Sequence, residues 1–307
     1  MPNPSLRHWL MLAFLVFSWG SAIILTRVAV NELPPLWVTA GRLCTGAALL
    51  FLYRIIFVRR PWSLTRRHAP WILWLALLSS AIPFLLIAWG SQFTSAAIAG
   101  ILMGTIPLSV LGLAHLLLPD EKLTRNKTVG FLIGFIGVVL IIKPDASALG
   151  SFDQTEMIGQ VAIFLASFCY ALNSVSTRRM PEADNIDKAT AVVIVAAILL
   201  LLACFVAEPF PGFDSAPLSS WLILIYLGFI PTAVATLILF VMLSQTKAGF
   251  VAMSNYLIPV VTALGGITFL GERLEPTVWV GFIIILIGLA ISERKNKPQP
   301  TISETLG

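Results

Sequence analysis

Long, continuously apolar runs recur along the whole of this 307-residue sequence. A helix needs about 20 mostly apolar residues to cross the hydrocarbon core of a bilayer, whereas membrane-spanning strands show short alternating segments. Because these runs are continuous, they predict helices joined by short connections. We predict ten transmembrane helices, at residues 9–30, 36–58, 71–92, 96–118, 128–143, 157–178, 188–207, 219–243, 248–270 and 277–292.

The composition excludes a soluble protein. Only 11% of the residues are charged, against roughly 25% in an average globular protein. A single membrane anchor would leave most of the 58% of hydrophobic residues unexplained. The fold class that we predict is therefore an all-α integral membrane protein whose main partner is the lipid bilayer.

The distribution of Lys and Arg predicts the orientation. With the N-terminus in the cytoplasm, sixteen of the 20 basic residues fall in segments on the cytoplasmic side. Since cytoplasmic loops of membrane proteins carry the excess of Lys and Arg, both termini are predicted to be cytoplasmic, including a polar tail at 293–307. This topology explains the basic excess without a nucleic-acid partner.

The two halves of the sequence resemble each other at an offset of about 151 residues, which divides the chain into repeats at 9–143 and 157–292. Each half has five predicted spans, an odd number, so the halves must cross the membrane in opposite senses. Inverted repeats of this kind allow a transporter to adopt two related conformations around one central site. The matched positions are Trp19 with Tyr170, Arg27 with Arg178, Pro107 with Pro259, Glu121 with Glu272, Gly130 with Gly281, and Gly137 with Gly288.

Several of these motifs resemble a known group of transporters. They are W-G-S-A at 19–22 followed by Arg27, the spacing from Pro35 to Arg42, and the paired endings in which Glu-Lys-Leu or Glu-Arg-Leu precedes two glycines. Together they resemble the drug/metabolite transporter superfamily and, within it, the EamA branch with two repeats. The resemblance covers about residues 9–292.

The resemblance implies a basket of helices around a central cavity, formed largely by the first, third, fourth, sixth, eighth and ninth spans, with the fifth and tenth at the periphery. It implies a gradient-driven carrier of small polar metabolites, often an exporter of amino acids, in the bacterial inner membrane. We expect a multi-pass protein that is a monomer or a weak homodimer.

Polar residues within the predicted spans are candidates for substrate contact, because polar groups at bilayer depth are costly unless they face a cavity or another helix. On the sixth span, Tyr170, Asn173, Ser174 and Thr177 recur at three and four residues and share one face. Asn173 is the strongest candidate. The hydroxyl groups have the alternative of bonding back to their own helix.

The ninth span offers Ser254, Asn255 and Tyr256 just before Pro259. Proline has no N–H group, so Pro259 frees the carbonyl of Asn255 one turn back. A freed carbonyl beside an amide side chain would suit a zwitterionic substrate, while a simple helix kink is the alternative.

The fourth span repeats this pattern. Pro107 frees the carbonyl of Met103 close to Thr105, so Thr105 is a candidate for substrate contact and both prolines are candidates for conformational change. Trp19 and Tyr170 occupy matched positions of the two halves and are expected either to line the cavity or to pack in the core.

Arg42 lies about seven residues into the second span, near its outer end. We favour a side chain that extends to the lipid headgroups or forms a structural pair. In the alternative, it lines the outer vestibule, contributes to gating and attracts a carboxylate.

Sites of several other kinds are not expected. The three cysteines and three histidines are too scattered for a metal site, and no catalytic set or cofactor-binding motif is present. All fifteen acidic residues fall in loops or at span ends. Since proton-coupled carriers often use a buried carboxylate, we predict facilitated transport, exchange, or coupling through the charge of the substrate.

The leading prediction is a secondary transporter that exports neutral or aromatic amino acids by alternating access. A carrier of nucleoside-, vitamin- or drug-like solutes is the alternative within the same fold. A lipid-modifying membrane enzyme is the alternative from another class, but the paired acids or metal cluster that it would need are not evident.

Overall fold

The computed structural model describes residues 4–117, 124–142, 154–246 and 248–292, and within these ranges every regular element is a helix. The segment around Glu121, Lys143 and the tail at 293–307 lie outside the described residues. The helices are α1 (Leu6–Ala29), α2 (Pro35–Phe57), α3 (Arg66–Gly90), α4 (Ala96–Leu117), α5 (Arg125–Ile142), α6 (Gln154–Thr177), α7 (Asn185–Ala207), α8 (Leu218–Gln245), α9 (Phe250–Leu270) and α10 (Pro276–Ser292).

Of the described helices, α1 to α9 are long and apolar enough to cross a membrane, while the apolar helix α10 is shorter, at 17 residues. Large apolar side chains point outward along the bundle, as Phe205 and Leu202 do on α7. Such a surface suits lipid rather than water. The prediction of an all-helical integral membrane protein is therefore confirmed.

Four of the described helices are irregular partway along their length. Helices α3 and α8 each contain a π-helical turn, at Leu77–Ala81 and Gly228–Val234. Helix α4 is interrupted after Met103, just before Pro107, and α9 is interrupted at Met253, ahead of Pro259. Proline removes an intrahelical hydrogen bond, and π-turns are frequent at functional sites. The irregular helices form two repeat-related pairs, α3 with α8 and α4 with α9.

Helices α5 and α10 pack closely against each other, and α5 contacts the rest of the bundle through α4 and α6. Glycines permit this approach. A Cβ atom on Gly137 would lie 2.6 Å from the carbonyl oxygen of Gly281. Any larger residue would therefore have to separate the two backbones.

The helix ends define two sides of the bundle. We call the side where α1, α3, α7 and α9 begin the basic face, and the other side the opposite face. The end of α2 meets the start of α7 on the basic face, through Arg54 and Asp187. On the opposite face, the indole N–H of Trp37 donates to the carbonyl of Pro209 (3.2 Å). Exposed arginines on the described part of the basic face are Arg7, Arg59, Arg60, Arg66, Arg67, Arg125, Arg178 and Arg179.

A buried ion pair organises the basic face. The Nε of Arg54 lies 2.5 Å from Oδ1 of Asp187, and their side chains are 5% and 0% exposed. The backbone N–H and the hydroxyl of Ser63 both donate to Oδ2 of Asp187 at 2.8 Å. The remaining Arg54 nitrogens donate to the carbonyls of Val58 and Arg60. Asp187 therefore has a structural role at a helix start.

Candidate functional site

A central cavity of about 580 Å³ lies between the two halves of the chain. Its described lining comes from α1, α2, α3 and α4 of the first half and from α6, α7, α8 and α9 of the second. Most of the wall surface is apolar, and hydroxyl, amide and basic side chains are distributed along it. A concave apolar space with few polar groups is typical of small-molecule sites.

The cavity is open toward the basic face. Ser174, Thr177 and Asn185 line it at the ends of α6 and α7, and all three are exposed. Toward the opposite face the lining ends inside the helices, where Thr26 and Arg42 are buried. A solute would therefore reach the cavity from the basic face in this conformation.

A contact between Glu272 and α4 joins the two halves at the opposite face. The Oε1 and Oε2 atoms of Glu272 accept the backbone N–H groups of Ala96 (2.6 Å) and Ala97 (2.9 Å), at the start of α4. The hydroxyl of Ser95 caps the next N–H, that of Ile98. A carboxylate is well placed at a helix start because the free N–H groups and the helix dipole both favour negative charge.

Trp19 and Tyr170 both line the cavity, one from each half. The indole N–H of Trp19 donates to the carbonyl of Pro231 (3.1 Å), which holds the ring against the π-turn of α8. The ring centroid of Tyr170 lies 6.5 Å from that of Phe84 on α3. These rings give the middle of the cavity an aromatic wall.

The predicted polar face of α6 also points into the cavity. Asn173, Ser174 and Thr177 belong to the lining. The Thr177 hydroxyl donates to the Asn173 carbonyl of its own helix (2.8 Å), as in the alternative to substrate contact that the sequence left open. The amide side chain of Asn173 is therefore the group on this helix best suited to a solute.

On α9, Asn255 and Pro259 line the cavity, whereas Ser254 and Tyr256 lie outside its lining. Ser254 is buried and its hydroxyl donates to the carbonyl of Val251 (2.8 Å). A helix presents only one face to a cavity, so three consecutive residues cannot all contact a solute.

Thr105 and Pro107 on α4 also lie outside the lining of the central cavity. The Thr105 hydroxyl lies 2.6 Å from the carbonyl of Leu102 and 2.9 Å from the Ser167 hydroxyl on α6. Thr105 instead lines a second, smaller cavity of about 250 Å³ between α4, α5 and α6. Its role in this structure is to join α4 to α6 at the interruption.

Arg42 points into the protein rather than toward the lipid headgroups, which corrects one of the two favoured expectations, the other being a structural pair. The side chain is buried and lines the cavity. Its Nε–H donates to the hydroxyl of Thr232 (3.0 Å), and its guanidinium carbon lies 3.8 Å from the ring centroid of Phe84. Packing between α3 and α8 directs this residue inward.

Thr232 connects Arg42 to the irregular backbone of α8. Pro231 lies inside the π-turn, and the Thr232 hydroxyl donates to the carbonyl of Leu227 (2.7 Å). The same oxygen accepts from Arg42. The Thr232 hydroxyl therefore donates to the Leu227 carbonyl and at the same time holds the Arg42 guanidinium in place.

Several lining residues were not predicted from the sequence. A signal was nevertheless present in α3 and α8, where hydroxyl residues lie close to a proline within an apolar run, as at Ser79-Ser80 before Pro83 and at Pro231-Thr232. No comparable signal marks Phe84. The unpredicted polar and aromatic residues of the lining are Thr26, Ser79, Ser80, Phe84, Asn185, Lys188, Thr232, Thr236 and Phe240.

The described residues contain no group of three or more His, Cys, Asp or Glu side chains that could hold a metal ion. The polar groups of the cavity are instead amides, hydroxyls and two cations. These groups can bind and orient an organic solute.

A family model described as the EamA-like transporter family matches residues 7–143 and, a second time, residues 157–293. The chain belongs to the EamA-like transporter family. The two matches correspond to the two halves that surround the cavity. The resemblance inferred from the sequence motifs is thereby confirmed, as is the prediction of a transporter rather than an enzyme.

Similar proteins include the uncharacterized transporter YoaV of Bacillus subtilis, which is 24% identical and covers 88% of this chain and 91% of its own length. The uncharacterized transporter YvbV of the same organism is 26% identical over 96% of this chain and 94% of its own length. The WAT1-related protein At3g02690 of Arabidopsis thaliana, a chloroplastic protein, is 25% identical over 92% of this chain and 68% of its own length.

One solved crystal structure of a protein matches with a TM-score of 0.62, covering 94% of this chain and 96% of the other chain. The sequences are 20% identical. This likeness shows a shared fold.

Proposed function

We propose that this EamA-like transporter is a secondary carrier that exports small amphipathic metabolites, neutral or aromatic amino acids first, by alternating access. The observation that carries this proposal is the 580 Å³ cavity between the two family repeats, whose described lining residues are exposed toward the basic face and buried toward the opposite face. A carrier needs such a site, accessible from one side at a time.

The proposed topology has ten membrane spans, α1 to α10, arranged as inverted repeats at 9–143 and 157–292. The basic face is cytoplasmic in this proposal, because cytoplasmic segments carry the excess of Lys and Arg. Both termini, including the tail at 293–307, then lie in the cytoplasm. We propose a bacterial inner membrane location and a monomer or weak homodimer.

The proposed site combines the aromatic wall with two amides. Trp19 and Tyr170 would contact the apolar body of the solute, and the amides of Asn173 and Asn255 would contact its polar end. The proline at 259 leaves the Asn255 carbonyl without its usual intrahelical donor, which adds an acceptor for an ammonium group.

Conformational change is proposed to use the irregular helices α4 and α9. Pro107 and Pro259 weaken the helical hydrogen bonding at matched positions of the two repeats. Bending at these points would open one end of the cavity while closing the other. No described Asp or Glu belongs to the lining, so we propose facilitated transport, exchange, or coupling through the charge of the solute.

The test is flux from proteoliposomes that contain the purified protein and are loaded with labelled amino acids, with and without a pH gradient. We expect efflux of part of the panel, reduced in Asn173→Ala and Asn255→Ala. Asn31→Ala is the matched control, because Asn31 is exposed at the end of α1 and lies outside the lining.

Absence of amino-acid efflux from folded protein would contradict the proposed substrate class. Nucleoside-, vitamin- and drug-like solutes would then be tested in the same vesicles. Equal loss of flux in Asn31→Ala and Asn173→Ala would contradict the proposed location of the site.

A further inference from the structure

Arg42 is a buried cation without an acidic partner. Its exposure is 9%, and no described carboxylate forms an ion pair with it. In contrast, the buried Arg54 is paired with Asp187. An ionisable group within a membrane protein is costly unless a partner compensates it, so an unpaired one marks a functional site.

The contacts of Arg42 leave one side of its guanidinium available. Its Nε–H is used by Thr232, and the face of the group lies against Phe84. Among the described residues, its two terminal amino groups have no hydrogen-bond partner. These amino groups form a planar fork that matches the two oxygens of a carboxylate.

The charge of the cavity has the same sign throughout. Of the described lining residues, only Arg42 and Lys188 are charged, and both are cations. Lys188 lies in the first turn of α7, near the open end, whereas Arg42 lies deep in the cavity. Low-dielectric walls strengthen the attraction of such a site for an anion.

We propose that Arg42 is the carboxylate anchor of the transport site and that a carboxylate is required on the solute. The inference rests on the proposed transport function and narrows its substrate class to amphipathic carboxylates. The two terminal amino groups of Arg42 donate to the two carboxylate oxygens, while Trp19, Phe84 and Tyr170 contact the apolar body. An ammonium group on the solute is not required.

Phosphate shares the chemistry that the fork recognises. The two terminal amino groups of Arg42 match the two oxygens of a carboxylate, whereas a phosphate has more acceptor oxygens than this site can satisfy. The apolar wall also suits the smaller charge of a carboxylate. The experiment therefore includes a phosphate ester.

The first experiment uses the wild-type protein in proteoliposomes and compares solutes with the same phenyl body: 3-phenylpropionate, phenylalanine, phenylalaninamide, phenethylamine and phenyl phosphate. A second series with an aliphatic body contains leucine, leucinamide and 4-methylpentanoate. We expect flux of the carboxylates and, at equal concentration, at least tenfold less flux of the amides and the amine.

The second experiment changes the anchor. Arg42→Gln removes the charge, and we expect the apparent affinity for the transported carboxylate to fall about 10- to 150-fold, the range for a lost hydrogen bond to a charged group. Arg42→Lys keeps the charge without the fork and should retain an intermediate affinity. Thr232→Asp would place a carboxylate beside Nε and should weaken binding of the solute carboxylate.

The flux measurements distinguish the carboxylate requirement from the proposed transport function. Flux of the amides and the amine equal to that of the carboxylates would overturn the carboxylate requirement and leave the proposed transport function intact. Preference for phenyl phosphate would also overturn it. Absence of flux for every compound, from folded protein, would overturn the proposed function and this inference together.

Discussion

Replacing Glu272 with Gln is expected to open the cavity toward the opposite face. The Glu272 carboxylate joins the loop before α10 to the first turn of α4 through the N–H groups of Ala96 and Ala97. This contact crosses from the second repeat to the first, at the end of the cavity that is closed. If the repeats move apart at that face, both hydrogen bonds must break.

The magnitude follows from these two bonds. Hydrogen bonds to a charged group contribute about 1.5–3 kcal/mol each. Gln keeps one acceptor oxygen and loses the charge, so the substitution should cost the closed state about 1.5–3 kcal/mol. A difference of 1.4 kcal/mol changes an equilibrium constant about tenfold, so the open population should rise about 10- to 150-fold.

The assay is labelling of a cysteine at Thr26, which lines the cavity near the opposite face and is 4% exposed. A membrane-impermeant thiol reagent is added from the side of the opposite face to protein without native cysteines. We expect the labelling rate to rise in Glu272→Gln. It should not change in Glu275→Gln, because Glu275 is exposed in the same loop and, among the described residues, its side chain accepts a hydrogen bond only from the Thr277 hydroxyl. Equal labelling rates in the two variants would show that the Glu272 carboxylate does not hold the opposite face closed.

Two further predictions concern stability, measured by thermal unfolding in detergent. Asp187→Asn leaves the charge of Arg54 buried and uncompensated, so the free energy of unfolding should fall by about 3–5 kcal/mol. The control Arg59→Gln, on the exposed surface, should change the free energy of unfolding by less than about 0.5 kcal/mol. Equal melting temperatures of the two variants would contradict the structural role of the pair. Gly137→Ala places a Cβ 2.6 Å from the carbonyl oxygen of Gly281, and overpacking should cost about 1–3 kcal/mol; an unchanged melting temperature would contradict the tight α5–α10 contact.

Helix positions followed closely from hydropathy, because the bilayer requires long apolar segments. The predicted spans at 36–58 and 277–292 nearly coincide with α2 (Pro35–Phe57) and α10 (Pro276–Ser292). The predicted starts of helices were less accurate where polar residues form the first turn. Helix α7 begins at Asn185, ahead of the predicted 188, because Asp184 accepts the N–H groups of Ile186 and Asp187.

The candidate site was only partly accessible to sequence reasoning. Trp19, Asn173 and Asn255 could be found because a polar or aromatic residue in an apolar run stands out. Ser254 and Tyr256, on either side of Asn255, are also polar or aromatic residues in an apolar run. Only the rotation of α9 about its axis determines which of the three lines the cavity. The direction of a side chain on a helix depends on packing against helices that are distant in sequence.

The contacts of Arg42 could not be predicted, because they join segments far apart in the chain. Thr232 lies 190 positions away, and its position depends on the π-turn of α8. The sequence favoured either the lipid headgroups or a structural pair for this side chain, since long basic residues near helix ends often extend to the headgroups. Contact with Phe84 and Thr232 instead stabilises the inward direction.

We propose that the cavity is the pathway of the solute, and the most direct test is to block the cavity after the protein has folded. Ser174→Cys, in a background with the three native cysteines replaced by alanine, is modified with a bulky maleimide from the basic face. Ser244→Cys is the matched control, because Ser244 is also exposed on that face but lies outside the lining. Flux through proteoliposomes is measured before and after modification. We expect modification to stop flux in Ser174→Cys and to leave it unchanged in Ser244→Cys, and unchanged flux in fully modified Ser174→Cys would contradict a solute pathway through the cavity.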